Sequence, residues 1–174
     1  LALMLKTLNE IPQPTIARVQ GTAFGGAVGL VSCCDMAVAA SAASFSLSEV
    51  KIGLVPATIS PYVIAAIGQR AVRRYFVTAE RFDAHRAMEI GLVNEVVDAE
   101  QLDQEIARLI NALLANGPEA IIAAKRLVFD IAGKPIDHQL IDSTCETIAA
   151  IRVSEQGQEG LQAFLEKRKP HWLK

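Results

Sequence analysis

Cysteine is scarce in this chain, and the copies present have no spacing that disulfide or metal chemistry uses. The 174 residues include three cysteines, of which Cys33 and Cys34 are adjacent. There is therefore no even disulfide framework, no C-x-x-C pair and no zinc-ligand spacing, because neighbouring side chains rarely reach disulfide geometry or share a metal. We expect reduced, buried thiols in a cytoplasmic protein and no metal site.

The chain also lacks an excess of charge of either sign. It carries 17 Lys and Arg against 19 Asp and Glu, which gives a formal net charge of −2. A nucleic-acid-binding protein would need a strongly basic surface, so no nucleic-acid partner is expected. The basic cluster Lys167, Arg168 and Lys169 is a local feature that suits a small anionic ligand.

A long run of large apolar residues is absent as well. Between Gly21 and Phe45 the only charged residue is Asp35, but the stretch consists mainly of Gly, Ala and Ser rather than Leu, Ile and Phe. This composition does not favour a membrane-spanning helix, so no membrane partner is expected. We expect a globular protein with a sizeable core, and a structural role for Asp35 at a helix end.

Two familiar phosphate-binding patterns fail near the glycines of residues 21–29. No register supplies the G-x-G-x-x-G pattern of a dinucleotide site. Gly21 and Gly26 have the spacing of G-x-x-x-x-G-K-[ST], but Ala27 and Val28 stand where that loop requires Lys and Ser or Thr. Neither nucleotide-binding class is therefore indicated.

The chain does contain a pattern of short strands and helices, followed by helices alone. Residues 15–19 favour a strand, a helix follows from about Gly26, and the segments "DMAVAA" and "ASFSLSE" favour two further strands. A strand, a helix and a strand in that order predict a right-handed crossover unit and hence an α/β fold. From Ala99 onward the apolar spacing predicts helices only, with a break before Pro118.

Gly25 and Gly26 lie at the predicted N-terminus of a helix. The first amides of a helix lack intrahelical acceptors, and glycine lets a ligand approach the backbone closely, so this turn can bind an oxygen that gains negative charge during a reaction. Tight packing of a helix against a strand explains the same glycines. The residues alone leave both interpretations open.

Four segments extend this pattern along the chain, namely "ARVQGTAFGGAVGLVSCCDMAVA", "FSLSEVKIGLVPATISPYV", "TAERFDAHRAMEIGLVNEVV" and "GLQAFLEKRKPHW". In this order and spacing they resemble the enoyl-CoA hydratase/isomerase (crotonase) superfamily over essentially the whole chain. Within that superfamily, the sequence of the segments "AFGGA" and "SEVKIGLVPATISP" resembles that of methylglutaconyl-CoA hydratases and the related carboxygeranoyl-CoA hydratases.

The resemblance implies the C-terminal part of a crotonase-like ββα spiral over residues 1–98 and a helical C-terminal, trimerising region over residues 99–174. It also implies that the N-terminal part of the family fold, with another oxyanion donor, lies ahead of Leu1, so that the chain is the later part of a longer polypeptide. A homotrimer or a homohexamer is the expected assembly. No separate cofactor is expected, because coenzyme A is part of the acyl-CoA thioester substrate.

The resemblance also assigns the reacting groups. It makes the Gly26 amide a donor to the thioester oxygen, with Gly25 allowing the chain to turn, and it makes Glu49 the general acid and base. A solvated acid at a strand end is the alternative for Glu49. The neighbouring apolar residues predict a partly desolvated setting for it, namely Phe45, Leu47, Val50 and Ile52.

Further positions match the family's binding surfaces. Ala57 and Thr58 fall where the acyl pocket is lined, and Arg73 or Arg74 is a candidate partner for a carboxylated acyl group, with solvated helix charges as the alternative. Two positions near the C-terminus, Phe164 and Lys167, match those that meet the CoA adenine and phosphates, with a plain amphipathic helix as the alternative. The histidines, His85, His138 and His171, have no matched partner and are expected to be surface or structural residues.

The chain departs from the family at Gly29, where hydratases with two glutamates carry their second acid. We therefore expect an enoyl-CoA hydratase that uses Glu49 alone. Its expected substrates are of the methylglutaconyl-CoA type, in leucine or isoprenoid catabolism. An enoyl-CoA isomerase with a single glutamate is the first alternative. A catalytically idle CoA-binding or scaffold protein is the second.

Overall fold

Up to Val97 the chain alternates short strands with helices, and beyond it the chain is helical. The structure is a computed structural model that describes residues 1–173. The elements of the first part are α1 (Ala2–Glu10), β1 (Ile16–Val19), β2 (Ala23–Phe24), α2 (Gly26–Cys33), β3 (Met36–Ala40), β4 (Ser44–Ser46), a 3₁₀ helix (Glu49–Ile52), α3 (Ser60–Thr78), β5 (Phe82–Asp83), α4 (Ala84–Glu89) and β6 (Glu95–Val97). The later elements are a 3₁₀ helix (Ala99–Gln101), α5 (Leu102–Leu114), α6 (Pro118–Ile131), α7 (His138–Val153) and α8 (Glu155–Leu165).

Within residues 1–173 the strands form two three-stranded sheets. The first has the order β1-β3-β6 and is parallel throughout, with Ile16 opposite Met36 and Val38 opposite Glu95. In the second, β2 pairs in parallel with β4, and β5 pairs antiparallel with β4. The parallel strands β1 and β3, with α2 between them, confirm the predicted α/β unit.

Proline, glycine and one carboxylate determine where several elements end. Helix α1 stops ahead of Pro12, which cannot continue it. Helix α3 is kinked at Gly68, whose φ of 73° is a conformation that glycine adopts readily. Asp35, after α2, accepts hydrogen bonds from the backbone N–H of Thr15 at 2.7 Å and from its hydroxyl at 3.0 Å, which joins the end of α2 to the start of β1. The expected structural role of Asp35 is confirmed.

The core of the first part lies around the strands. Leu5 of α1 and Val38 of β3 are fully buried. The ring of Phe82 stacks on that of Phe45 with centroids 5.6 Å apart and meets the ring of Tyr75 at 4.3 Å. These aromatic contacts join α3, β4 and β5, and β4 leads into the segment that carries Glu49.

The chain divides into two compact units, Leu1–Arg108 and the part that begins at Leu109. In the second unit, Gly117 and Pro118 separate α5 from α6 as the sequence predicts. Among residues 109–173 the buried class includes Gly117 and Ala163 alone, so the helices of this unit are exposed over most of their surface. The expected boundary at residue 98, between the spiral core and the trimerising region, stays a prediction.

The cysteines are unbridged and differ in exposure. Cys33 is buried, Cys34 is partly buried and Cys145 is exposed, so the expectation of buried thiols is wrong for Cys145. Burial raises the pKa of the Cys33 thiol to about 11, and the neighbouring Cys34 adds to this effect, so Cys33 is a poor nucleophile. No helix among the described residues has the length and apolar character needed to cross a membrane.

Candidate active site

The turn between β2 and α2 holds an unusual backbone conformation. Gly25, the residue before α2, has φ 52° and ψ −119°, a conformation that strongly favours glycine. Its amide donates a hydrogen bond to the carbonyl of Ser46 at 2.9 Å. The turn is therefore attached to β4, the strand that leads into the segment of Glu49.

The first amides of α2 are available to a ligand. Val28 donates to the carbonyl of Gly25 at 2.9 Å, but the N–H groups of Gly26 and Ala27 have no acceptor among residues 1–173. A β-carbon placed on Gly26 would meet nothing within 4 Å. The turn therefore combines unpaired donors at a helix N-terminus with open space beside the backbone, which suits an oxygen bearing negative charge.

The carboxylate of Glu49 lies against this turn. A β-carbon placed on Gly25 would be 3.1 Å from Glu49 Oε1 and 3.8 Å from Oε2, so the carboxylate occupies the place a side chain at residue 25 would need. The structure thus brings together Glu49 and Gly25, which are 24 positions apart in the sequence. The carboxylate of Glu49 therefore lies at the same turn as the unpaired N–H groups that begin α2.

One oxygen of this carboxylate is buried without compensation. Glu49 Oε2 is inaccessible to solvent and has no hydrogen-bond partner among the described residues. Leaving such an oxygen unpaired costs stability, so an unpaired buried group in a native protein calls for an explanation such as a catalytic role, a bound water or an ion. The observation favours a functional carboxylate over a solvated acid.

The surroundings of Glu49 are apolar on one side only. Phe45 and Leu47 are fully buried, as the sequence predicts. Val50 and Ile52, on the 3₁₀ helix that Glu49 begins, are 36% and 75% exposed, so the expected desolvation by these two residues is wrong. Strand β4 ends at Ser46, three residues before Glu49, so the expected position of Glu49 in a strand is wrong. The helical turn directs the carboxylate back towards Gly25.

The position of the missing second acid is sterically closed. A β-carbon on Gly29 would lie 2.2 Å from Ile59 Cγ2 and 2.7 Å from Ile59 Cβ. Ile59 is 1% exposed, at the start of α3, so it cannot move aside into solvent. A side chain at residue 29 would therefore displace the packing between α2 and α3.

The other predicted site residues are exposed within their own units. Ala57 and Thr58 are exposed in the turn before α3, where the Ala57 carbonyl accepts hydrogen bonds from Ser60. In the second unit, Phe164 is 80% exposed and Lys167, with φ 55°, donates its amide to the Phe164 carbonyl at 3.2 Å. Their assignments to the acyl pocket and to coenzyme A stay predictions.

Sequence reasoning missed two residues that shape the site. Ser46 is buried, holds Gly25 through its carbonyl and donates its hydroxyl to the carbonyl of Ala79 at 3.1 Å. Ile59 fills the space beside Gly29. A polar residue between buried Phe45 and Leu47 was the available signal for Ser46, whereas the sequence carries no signal for the contact of Ile59.

Comparison with known proteins yields one family. A family model described as enoyl-CoA hydratase/isomerase matches residues 2–174. A solved structure of an enoyl-CoA hydratase from Shewanella pealeana is 52% identical, with a TM-score of 0.94, over 98% of this chain and 64% of that one. The expected fold is therefore confirmed.

Curated relatives differ in the reaction that their names describe. A crotonyl-CoA hydratase from Syntrophomonas wolfei is 30% identical over 98% of this chain and 65% of its own length. A methylmalonyl-CoA decarboxylase from Escherichia coli is 30% identical over 97% of this chain and 65% of its own length. The chain thus spans about two thirds of the length of these relatives. Both names refer to a coenzyme A thioester, but they describe different reactions.

Proposed function

The chain belongs to the enoyl-CoA hydratase/isomerase family, and from this premise we propose that the protein adds water across the double bond of an α,β-unsaturated acyl-CoA thioester. The observation that carries the proposal is the Glu49 carboxylate against Gly25, beside the unpaired amides that begin α2. We propose Gly26 as the donor to the thioester oxygen and Glu49 as the acid and base.

The thioester oxygen needs stabilisation because hydration passes through an enolate-like state. As water adds to the β-carbon, charge moves onto that oxygen, and the N–H of Gly26 stabilises it at close range. Removing one such donor typically costs about 3 to 4 kcal/mol of transition-state stabilisation. The open space beside Gly26 lets the carbonyl approach.

Glu49 transfers the proton between the attacking water and the substrate. Its carboxylate accepts a proton from water while the oxygen of that water bonds to the β-carbon, and it then returns a proton to the α-carbon. The product gains one water, and Glu49 is left ionised again. The proposal is supported by Oε2, which no residue that the structure describes engages in a hydrogen bond.

An isomerase is the second candidate, favoured by the contact between Gly29 and Ile59. Because Ile59 closes the position of a second acid, Glu49 is the carboxylate that serves the site. A single carboxylate suffices to remove a proton from one carbon of an enoyl chain and return it to another, which moves the double bond without adding water.

The finer proposals follow the resemblance. A methylglutaconyl-CoA type of substrate, in leucine or isoprenoid breakdown, is proposed from the segments around Gly25 and Glu49. Ala57 and Thr58 are proposed to line the acyl pocket. The free thiols support a cytoplasmic location, and the exposed helices of the second unit support a homotrimer or homohexamer.

The candidates separate by the mass and structure of the product. The protein is incubated with crotonyl-CoA, 3-methylglutaconyl-CoA and a 3-enoyl-CoA, and products are identified by chromatography and mass spectrometry. A gain of one water supports the hydratase, and an isomer of unchanged mass supports the isomerase. Coenzyme A binding without turnover of any substrate overturns both and supports an idle binding protein.

A further inference from the structure

A cavity apart from the Glu49 site lies in the first unit, between the part of α3 that follows the kink and α4. Its volume is about 720 Å³, and four arginines line it over an apolar floor. The arginines are Arg70, Arg73, Arg74 and Arg86, and the floor includes Ile67 and Ile90. None of the residues that build the Glu49 site lines this cavity.

The positive charge in this cavity exceeds the negative charge. Arg74 is paired with Glu80 at 2.5 Å, and Arg86 with Glu89 at 2.8 Å. Arg70 and Arg73 have no carboxylate partner among the residues that the structure describes. Two arginine charges are therefore left over, in a chain whose formal net charge is −2.

The spacing of these arginines is unfavourable in the absence of an anion. Arg73 and Arg74 lie three and four positions after Arg70 on α3, so each is a neighbour of Arg70 on the helix surface. Like charges at this spacing repel each other. A bound anion removes the repulsion and turns the cluster into a source of affinity.

Two of the guanidinium groups are held in place by neighbouring residues. Arg86 donates from Nε to the hydroxyl of Tyr75 at 3.0 Å, and Tyr75 is 2% exposed. Arg74 donates from Nε and Nη2 to Glu80. Nη1 of Arg74 and Nη2 of Arg86 have no acceptor among residues 1–173 and are available to a ligand.

We propose that this cavity binds a small molecule that carries a diphosphate group. Planar guanidinium groups match the geometry of phosphate oxygens and bind them through paired hydrogen bonds. The volume falls within the range of roughly 300 to 1,000 Å³ that is usual for small-molecule sites. Inorganic pyrophosphate and an organic diphosphate share this chemistry, and the apolar floor would contact only the organic compound.

The test is calorimetric titration of the protein with inorganic pyrophosphate and, separately, with ADP. The variant Arg70→Gln/Arg73→Gln removes the two charges without partners. The control, Arg126→Gln/Arg152→Gln, removes two exposed arginines from the second unit and changes the net charge equally. Circular dichroism and melting temperature show that each variant is folded.

Saturable binding of pyrophosphate by the wild type is expected, with a Kd raised about tenfold or more in Arg70→Gln/Arg73→Gln and changed less than about twofold in the control. Tighter binding of ADP identifies an organic diphosphate, and equal binding identifies the inorganic one. Equal losses in both variants, or no saturable binding by the wild type, overturn the proposal. So does an altered sedimentation coefficient in Arg70→Gln/Arg73→Gln without altered pyrophosphate binding, since the arginines then serve a contact between chains.

Discussion

At the scale of single residues, Glu49 combines exposure of its neighbours with burial of its own Oε2. Val50 and Ile52 reach solvent, whereas Oε2 is inaccessible and has no partner among the described residues. A carboxylate in this position contributes little to stability through hydrogen bonding. We propose that chemistry at the adjacent turn accounts for its presence.

The variant Glu49→Gln tests that explanation. The amide keeps the size of the side chain but cannot carry a proton between water and carbon, so we expect kcat to fall by about a hundredfold to ten-thousandfold. The melting temperature is expected to stay within the range of the wild type. The control Glu100→Gln removes an exposed acid elsewhere in the first unit and should leave kcat unchanged. Equal kcat values for Glu49→Gln and wild type would show that Glu49 does not transfer a proton in the reaction.

A second residue-scale prediction concerns Gly29. An alanine β-carbon would lie 2.2 Å from Ile59 Cγ2, so Gly29→Ala is expected to lower the free energy of unfolding by about 1 to 3 kcal/mol. Denaturant titration measures the loss. In a double-mutant cycle with Ile59→Ala the losses should be less than additive, because truncation removes the closest atom.

Gly26→Ala is the matched control, because it lies in the same helix and its β-carbon would meet open space. It should leave the free energy of unfolding unchanged or raise it by up to about 1 kcal/mol. Equal destabilisation by the two alanines would mean that helix α2 rejects any side chain and that Ile59 has no special part.

At the scale of elements, α8 and the segment after it are joined by an ion pair. Arg168 donates to both carboxylate oxygens of Glu159 at 2.7 and 2.8 Å, and the His171 amide donates to Oε1 at 2.9 Å. The hydrogen bonds from Arg168, followed by that from His171, lower the pKa of Glu159 from 4.5 to about 2. Because the pKa is lowered on folding, the contribution to stability is full above the ordinary value and is lost as pH falls through about 2.

Carboxyl NMR titration of Glu159 checks this ion pair. The wild type should show a midpoint near 2, and Arg168→Gln should return the midpoint towards 4.5. The control Arg152→Gln removes an exposed arginine without touching the pair. A wild-type midpoint near the ordinary value, or the same shift in both variants, contradicts the expected effect of Arg168.

Elements also differ in how far the sequence predicts them. The glycine and proline at residues 117 and 118 mark a helix boundary through local chemistry, and β3 is a continuous apolar run. Strand β2 has two residues and no alternation, so only its partner β4 defines it. The meeting of Glu49 with Gly25 likewise depends on tertiary structure, although the family resemblance indicated both residues before their contact was seen.

At the scale of the whole molecule, the second unit exposes much of its apolar surface. Phe129 is 44% exposed, Ile136 86% and Leu165 79%. Exposed apolar area of this kind is usually covered by another protein surface. A homo-oligomer, as proposed above, would provide that cover.

Hydrogen exchange at several protein concentrations tests this. If copies of the chain cover the second unit, amide exchange in α6 to α8 should slow as concentration rises through the range in which sedimentation detects association. Exchange in β3, which is buried within one chain, should not depend on concentration. Association without any change in α6 to α8 would assign the interface to another surface.

The hydrogen bond from the Gly25 amide to the Ser46 carbonyl extends the pairing of Ala23 with Phe45 and of Phe24 with Ser46. The proposed donor, Gly26, and the proposed acid, Glu49, consequently follow two paired strands, and the alignment of these strands sets the distance between them. A slip of one position would move them relative to each other by about 3.3 Å, more than proton transfer tolerates. Heating that disrupts the pairing of β2 with β4 should therefore abolish turnover at a temperature below that at which the whole chain unfolds.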